Sequence, residues 1–121
     1  MGRYGVPNAV RAYGHVVHTL WSVYGDGAEL FVDDLVWAED AHRQSWVVLT
    51  GDASIRRYLG DDRMYEYRLS IFALPRNNLR GAEQIHRIVS NLDDIVRIAN
   101  ESPRPHLYGI YADGLRQLWP R

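Results

Sequence analysis

The stretch Ser45–Asp52, Ser-Trp-Val-Val-Leu-Thr-Gly-Asp, decides the fold class of this chain. Its centre, Trp46–Leu49, is short, continuously apolar and rich in β-branched and aromatic side chains, which is typical of a strand covered on both faces. We therefore predict a central strand of an α/β sheet. A polar residue that ends such a strand lies at the carboxyl edge of the sheet, where open α/β proteins bind their ligands. This prediction puts Asp52 at the functional edge.

Patterns before this strand predict three further elements and a loop. Val6–Tyr13 has apolar residues at helical spacing and a proline in its first turn, so we predict a short helix. His15–Leu20 is typical of a strand, and Trp21–Gly27 is typical of a loop with a Gly-Asp-Gly turn. Asp33–Arg43 carries a narrow apolar stripe at helical spacing, which predicts the helix that leads into the central strand.

Patterns after the central strand continue the alternation of helices and strands. Ser54–Asp62 is polar and basic and is compatible with one helical turn at its start. Leu69–Leu74 predicts a strand that Pro75 ends, because proline cannot extend a ladder from inside it. The periodic segment from Leu79 to Asn100 predicts one long helix. Leu107–Trp119 predicts a β-hairpin around Asp-Gly.

The composition limits the size and the class of the protein. With 121 residues, of which 46% are apolar, the chain is predicted to form a single domain, 1–121. The absence of cysteine excludes disulfides, thiolate catalysis and cysteine-based zinc sites. No apolar run is long enough to cross a bilayer and no signal sequence opens the chain, so we expect a cytoplasmic protein with no membrane partner.

The charges are unevenly distributed along the chain. From Asp26 to Asp52, seven acidic residues face a single arginine, whereas from Arg56 to Arg87 seven arginines face four acidic residues. An acidic pocket beside a basic rim suits a metal-dependent enzyme that acts on a polyanion. Ordinary solvated helices can produce the same pattern by chance. All 14 basic residues are arginine, which suits phosphate binding but equally reflects coding bias in a GC-rich genome.

Two pairs of titratable residues have a structural alternative to a functional role. Asp33 or Asp34 is the natural N-cap of the helix that begins there, because aspartate is a preferred cap. A helix start after a loop can also present a carboxylate to an active-site edge, and both roles can coexist. His15 and His18 are three residues apart on a predicted strand, so they point to opposite faces and cannot share a metal ion.

Five motifs, in this order and at matching spacing, resemble PIN-like proteins of the VapC toxin type. They are residues 6–12 (VPNAVRA), 34–37 (DxxW), 46–52 (WVVLTGD) followed by 55–57 (IRR), 79–83 (LxGAE) and 108–120 (YGxYxxGLRxLWP). The likeness spans nearly the whole chain. No single motif is decisive, but five motifs in register make coincidence improbable.

The resemblance implies a three-layer PIN-like α/β fold, with a central, mostly parallel sheet flanked by helices. It implies a Mg²⁺- or Mn²⁺-dependent endoribonuclease, the toxin of a toxin–antitoxin system, that an antitoxin silences. Asp34 and Asp52 match acids with which the family holds the metal ion, and the metal activates water and stabilises charge on the scissile phosphate. Arg56 and Arg57 match the basic pair that follows, and are implied to bind the RNA phosphates.

Two departures from the family pattern follow from the same comparison. Family members begin with a central strand that ends in a metal-binding Asp, whereas this sequence begins inside the next turn, so that strand and that Asp are absent from it. Either the natural start codon lies upstream and this sequence is clipped, or the strand and its Asp have been lost; both alternatives stay open. Loss of a central strand leaves backbone groups unpaired, which favours pairing with another chain or with another element, and we expect a homo-oligomer. The second departure follows Arg57, where the family's Arg-Pro-x-Glu is replaced by Tyr58–Asp61.

The composition of the metal site and the activity itself therefore stay open at this point. Asp26, Asp33, Asp61 and Asp62 are the candidates to complete a site that Asp34 and Asp52 begin. Two carboxylates alone hold a hydrated Mg²⁺ only loosely, because this ion keeps most of its water ligands. The alternative function is a catalytically degenerate PIN-like module that binds an antitoxin or RNA without cleavage.

Overall fold

Four strands form one sheet in the computed structural model, which describes residues 5–75 and 79–120. They are β1 (Val47–Thr50), β2 (Ser70–Ala73), β3 (His106–Tyr111) and β4 (Gly114–Trp119). The strands lie side by side in chain order, with β1, β2 and β3 parallel to one another and β4 antiparallel to β3. The predicted mostly parallel sheet and the C-terminal β-hairpin are confirmed.

Eight helices lie within the same described residues. They are α1 (Gly5–Ala12), α2 (Leu20–Tyr24), α3 (Ala28–Phe31), α4 (Asp34–Gln44), α5 (Ile55–Leu59), α6 (Asp61–Tyr67), α7 (Gly81–Ser90) and α8 (Leu92–Glu101). None of these helices is long and apolar enough to cross a bilayer.

Helices cover both faces of the sheet, as β2 shows most directly. Successive side chains of a strand point to opposite faces, and Phe72 packs in one core cluster whereas Ile71 and Ala73 pack in the other. The first cluster joins the sheet to α1, α7 and α8, and the second joins it to α4, α5 and α6. The result is three layers, with the sheet between two layers of helices.

β1 lies at an edge of the described sheet, so the prediction of a central strand is wrong. Val48 packs with the second cluster and Leu49 packs with the first, which means that both faces of β1 are shielded. The continuous apolar run predicted this burial of both faces correctly. It carried no information on how many strands pair with β1, and for this reason the position in the sheet was wrong. Val47 remains 40% exposed.

The long helix predicted between Leu79 and Asn100 is two helices, α7 and α8, separated by Asn91. The buried Asn91 side chain donates a hydrogen bond to the carbonyl of Arg87 at 2.7 Å. Such local bonds between side chain and backbone compete with the helical ladder. The apolar periodicity continues across the break, and for this reason the pattern alone did not reveal it.

The segment before α4 also differs from the prediction. The predicted strand at His15–Leu20 is wrong, since residues 15–19 pair with no strand in the described part of the chain. The predicted loop at Trp21–Gly27 lies largely within α2, which a capping box starts: the Thr19 side chain accepts from the N–H of Ser22, and the Ser22 hydroxyl accepts from the N–H of Thr19. This reciprocal pair satisfies two backbone donors and favours a helical turn.

The helices predicted at Val6–Tyr13 and Asp33–Arg43 are confirmed as α1 and α4. Asp33 is the N-cap of α4, where its side chain accepts a hydrogen bond from the backbone N–H of Leu35 at 2.8 Å. Asp34 is the first helical residue. The two adjacent carboxylates therefore have different positions, and only Asp33 caps the helix.

Replacement of Asp33 by alanine should lower the free energy of unfolding by about 1 kcal/mol, because α4 loses its capping oxygen. Asp33→Ser keeps an oxygen at the same position and should stay within a few tenths of a kcal/mol of the wild type. Urea denaturation of both variants measures the difference. Equal destabilisation by serine and alanine would show that Asp33 does not act as a cap.

A buried hydrogen-bond chain joins β2 to β3 through His106, which is 1% exposed. Its Nδ1 lies 2.9 Å from the carbonyl oxygen of Pro103, which can only accept, so Nδ1 carries the proton. Its Nε2 lies 2.6 Å from the Ser70 hydroxyl and therefore accepts from it. Burial lowers the pKa of His106 below the ordinary 6.5. Burial therefore favours the neutral imidazole, in which Nδ1 donates to Pro103 and Nε2 accepts from Ser70.

The folded protein should lose stability as the pH falls below about 6.5, because the unfolded chain binds a proton at His106 more tightly than the folded chain does. The contribution is full above that value and is lost as the pH falls through the lower folded pKa. Chemical denaturation between about pH 8 and pH 5 measures the slope. His106→Phe should flatten this slope, because it removes the buried imidazole.

Candidate functional site

A cleft of about 1080 Å³ lies beside β1 and continues past its carboxyl end. Residues 45–52 contribute to its lining together with the extended segment and the helix at 15–24. Both helical layers contribute as well, through Val10 and Ile95 on one face and Trp37 and Ile55 on the other. The cleft therefore borders the sheet edge, both layers of helices and the polar residues that follow β1.

Asp52 follows β1 and lines this cleft, in the position that the sequence predicts. Its Oδ1 accepts a hydrogen bond from the backbone N–H of Ser54 at 2.9 Å and another from the Ser54 hydroxyl at 2.5 Å. The Thr50 hydroxyl in turn accepts from the backbone N–H of Asp52 at 3.0 Å. These bonds hold the exposed carboxylate in one orientation, and no described residue hydrogen-bonds its Oδ2.

Asp34 lines the same cleft from the first turn of α4. Its Oδ1 accepts a hydrogen bond from the indole N–H of Trp37 at 2.8 Å, and a carboxylate at a helix N-terminus is favoured by the helix dipole. Within the described residues its Oδ2 has no hydrogen-bond partner. The structure thus brings Asp34 and Asp52 to one cleft, each with one carboxylate oxygen held by a neighbour.

The four acids proposed to complete the site, Asp26, Asp33, Asp61 and Asp62, are not in the lining of the cleft. Asp33 caps α4, and Asp61 forms an ion pair with Arg56 at 2.7 Å. Glu29, on α3, does line the cleft and was not selected from the sequence. Its only sequence signal is its place in the acidic segment, because α3 is too short to show a period.

The described side chains fit a loosely held Mg²⁺ or Mn²⁺ better than a preformed metal cage. Their donors are carboxylate oxygens, which both ions prefer. No group of three or more acidic or histidine side chains in residues 5–75 and 79–120 lies close enough to enclose an ion. Mg²⁺ commonly takes only one or two carboxylates and keeps several waters. Asp34 and Asp52 are therefore the type of ligand that a hydrated Mg²⁺ or Mn²⁺ takes from a protein.

The two arginines of α5 have different surroundings, and neither lines the cleft. Arg56 pairs with Asp61, and its guanidinium lies 5.4 Å from the centre of the Trp119 ring. Arg57 is exposed and makes no hydrogen bond or ion pair with any described residue. Arg57 is thus the more available of the two for an anionic ligand, while Arg56 ties α5 to α6 and β4.

A partly buried hydrogen bond joins α2 to α4 beside the cleft, which Tyr24 lines. The Tyr24 hydroxyl donates to a carboxylate oxygen of Asp40, which also pairs with Arg43. Burial and then this bond raise the pKa of Tyr24 to about 12, and the same bond, followed by Arg43, lowers the pKa of Asp40. Near pH 7 Tyr24 is therefore a neutral donor and Asp40 is an ionised acceptor. The two shifts favour the protonation states that this hydrogen bond needs.

Comparison with known proteins gives one informative similarity. The chain is 26% identical over 112 residues to “Putative ribonuclease VapC45” of Mycobacterium tuberculosis, and the aligned region covers 92% of this chain and 80% of that protein. No protein-family model matches the chain, and no solved structure gives a significant match. The chain is accordingly similar to a VapC-named protein over nearly its whole length.

Proposed function

We propose that this chain is the ribonuclease toxin of a toxin–antitoxin pair and cleaves RNA phosphodiester bonds with a bound Mg²⁺ or Mn²⁺. The observation that carries this proposal is that Asp34 and Asp52 line one cleft, which runs beside β1 and past its carboxyl end. The similarity to a protein named as a VapC ribonuclease supports the substrate class. The partner that this assignment implies is an antitoxin protein that silences the enzyme.

Asp34 and Asp52 would hold the ion through the carboxylate oxygens that their neighbours leave unbonded. The bonds from Trp37 and Ser54 orient these carboxylates before any ligand arrives, which limits the freedom lost on binding. A divalent ion at this position supplies an activated water and neutralises charge on the scissile phosphate. With only two protein ligands, water and an RNA phosphate oxygen would occupy the remaining coordination positions.

Arg57 would bind an RNA phosphate beside the cleft, because its guanidinium is exposed and unpaired among the described residues. Arg56 would act differently. Its ion pair with Asp61 and its contact with Trp119 hold α5, which carries Arg57 and two residues of the cleft wall. We therefore assign Arg57 to the substrate and Arg56 to the positioning of α5.

One observation favours a second function, a PIN-like module that binds an antitoxin or RNA without cleaving it. The described residues contain no group of three or more side chains able to enclose a metal ion. A site with two carboxylates binds a metal ion tightly only when the RNA substrate supplies further ligands. A protein that binds RNA without cleaving it would keep the cleft but would need no metal ion. The two functions differ in the metal dependence that they require.

Asp52→Asn should reduce Mn²⁺-dependent cleavage of single-stranded RNA by about a hundredfold or more, because an amide replaces an anionic ligand. Asp34→Asn should have the same effect. Gel analysis of a labelled RNA at several Mn²⁺ concentrations measures the rates. Asp113→Asn is the matched control, since this exposed carboxylate pairs with Arg116 in the hairpin of β3 and β4, and no residue of that hairpin lines the cleft.

The same variants distinguish the two functions. Unchanged cleavage after both substitutions would refute the proposed active site. RNA binding without cleavage by the wild type, together with no heat of Mn²⁺ binding at millimolar metal in the presence of RNA, would favour the non-cleaving module. Calorimetric titration of the wild type and of Asp52→Asn, each with a non-cleavable RNA, gives this comparison directly.

Arg57→Gln should weaken RNA binding and reduce the slope of log affinity against log salt by about 1, as expected for one lost phosphate contact. Arg56→Gln should instead lower the melting temperature, because α5 loses its ion pair and its contact with Trp119. Filter binding at several salt concentrations and thermal melts of both variants measure these effects. A salt slope that falls for Arg56→Gln alone would reverse the two assignments.

A further inference from the structure

A second pocket, of about 460 Å³, lies at the edge of the sheet where β3 begins. It is lined by the turn that joins α8 to β3 and by parts of α6, β3 and β4, and it shares no residue with the cleft beside β1. Because β1, β2 and β3 are parallel, this edge is opposite to the edge where Asp52 follows β1. We call this separate site the amino-edge pocket.

Two arginines lie side by side at this edge. Arg104 lines the pocket. Arg68 and Arg104 each come two residues before a strand residue, and these strand residues, Ser70 and His106, pair with each other across β2 and β3. Neither arginine forms an ion pair with a described residue. Burial and then the charge of Arg68 lower the pKa of Arg104. A bound anion would relieve this repulsion.

Arg104 also has a structural role, which leaves most of its donors free. One of its N–H groups donates at 3.0 Å to the carbonyl of Ala99, in the last turn of α8, and an arginine in this position stabilises the end of a helix. A guanidinium has five N–H donors, and Ala99 is the only acceptor that the described residues provide. The bond to α8 thus orients the guanidinium before a ligand arrives.

The other lining side chains suit a flat, polar heterocycle. The side chain of Tyr65 is 57% exposed and meets Trp119 at a steep angle, with ring centroids 5.4 Å apart, so a face of the Tyr65 ring stays open. Nucleic acid bases stack on such faces. Gln117 lies across from Tyr108 on the paired strands β4 and β3. The side chains of Gln117, Tyr108 and Ser102 form no hydrogen bond with a described residue, so they can bind the polar edge of a base.

We propose that the amino-edge pocket binds a nucleotide, with its phosphate at Arg104 and Arg68 and its base on the ring of Tyr65. Arginine forks match the geometry of phosphate, and the volume lies within the range of about 300–1,000 Å³ that is usual for small-molecule sites. An acidic peptide would use the arginines but not the open aromatic ring. The proposal does not depend on nuclease activity, since the pocket and the cleft share no residue.

AMP (adenosine 5′-monophosphate) is a suitable probe, titrated into the full chain in a buffer free of metal ions, sulfate and phosphate. Without a metal ion, the carboxylates of the cleft repel the phosphate of AMP. We expect saturable binding with a Kd below about 1 mM, seen by NMR as shifts of the Arg104 and Gln117 amides. The amides of Gly51 and Asp52, in the cleft, should not shift. Asp52→Asn should bind AMP like the wild type.

Two substitutions separate the phosphate from the base. Arg104→Gln should weaken the binding of both AMP and inorganic phosphate by about tenfold or more, because charge-assisted hydrogen bonds are lost. Tyr65→Leu should weaken the binding of AMP by about fivefold or more and leave that of inorganic phosphate unchanged, because only the stacking surface is lost. Arg116→Gln is the matched control, since Arg116 pairs with Asp113 and does not line the pocket.

Arg68→Gln keeps the test decisive if the loss of Arg104 unfolds the end of α8, which circular dichroism shows. Arg68 is exposed and forms no hydrogen bond with a described residue, so its substitution should leave the fold intact. It should weaken the binding of both ligands by about threefold or more, because one of the two positive charges is lost.

A short RNA with a phosphate at its 5′ end identifies the source of the nucleotide, because a free nucleotide and the end of an RNA chain present the same groups. Displacement of AMP by this RNA would assign the pocket to an RNA end, and no displacement would assign it to a free nucleotide. Three results would overturn the proposal. They are the absence of saturation up to about 10 mM AMP, shifts confined to Gly51 and Asp52, and equal weakening by Arg104→Gln and Arg116→Gln.

Discussion

The packing of helices on both faces of β1 is the constraint on which the arrangement of this molecule depends. Val48 packs with one layer of helices and Leu49 packs with the other, while β2 is the strand that pairs with β1 in the part of the chain that the structure describes. The cleft that borders β1 is also lined by Asp34 and Asp52. The side chains that cover β1 and the residues of the proposed site therefore line one space.

Local sequence signals predicted the parts of the fold that depend on local physics. The apolar run at 46–49 and the stripe of α4 predicted a strand and a helix, because burial on a face has a period that the sequence carries. The Asp-Gly turn predicted the hairpin of β3 and β4. The strand end likewise predicted that Asp52 lies at the carboxyl edge of the sheet, since this follows from chain direction alone.

Features that depend on lateral or nonlocal contacts could not be predicted in this way. Hydrophobicity shows that β1 is covered on its faces but not that it lies at the edge of the described sheet. The break at Asn91 depends on a side chain that donates a hydrogen bond to the backbone of the preceding turn. Glu29 lines the cleft because α2 and α3 place it there. Both helices are too short to show a helical period of apolar residues in the sequence. The contribution of Glu29 to the site becomes visible only when the chain is folded.

The carboxylates that line the cleft are oriented by contacts that are local in sequence. Asp34 accepts a hydrogen bond from Trp37, one turn later in α4, and Asp52 accepts two from Ser54 in the turn that follows β1. Such bonds form when the helix and the turn form, because donor and acceptor lie within three residues of each other. The separation of the two carboxylates has a different origin, since it depends on how α4 packs against the sheet through Ala38 and Ala41. The orientation of each proposed ligand is thus set by its own segment, and the geometry of the pair is set by the core.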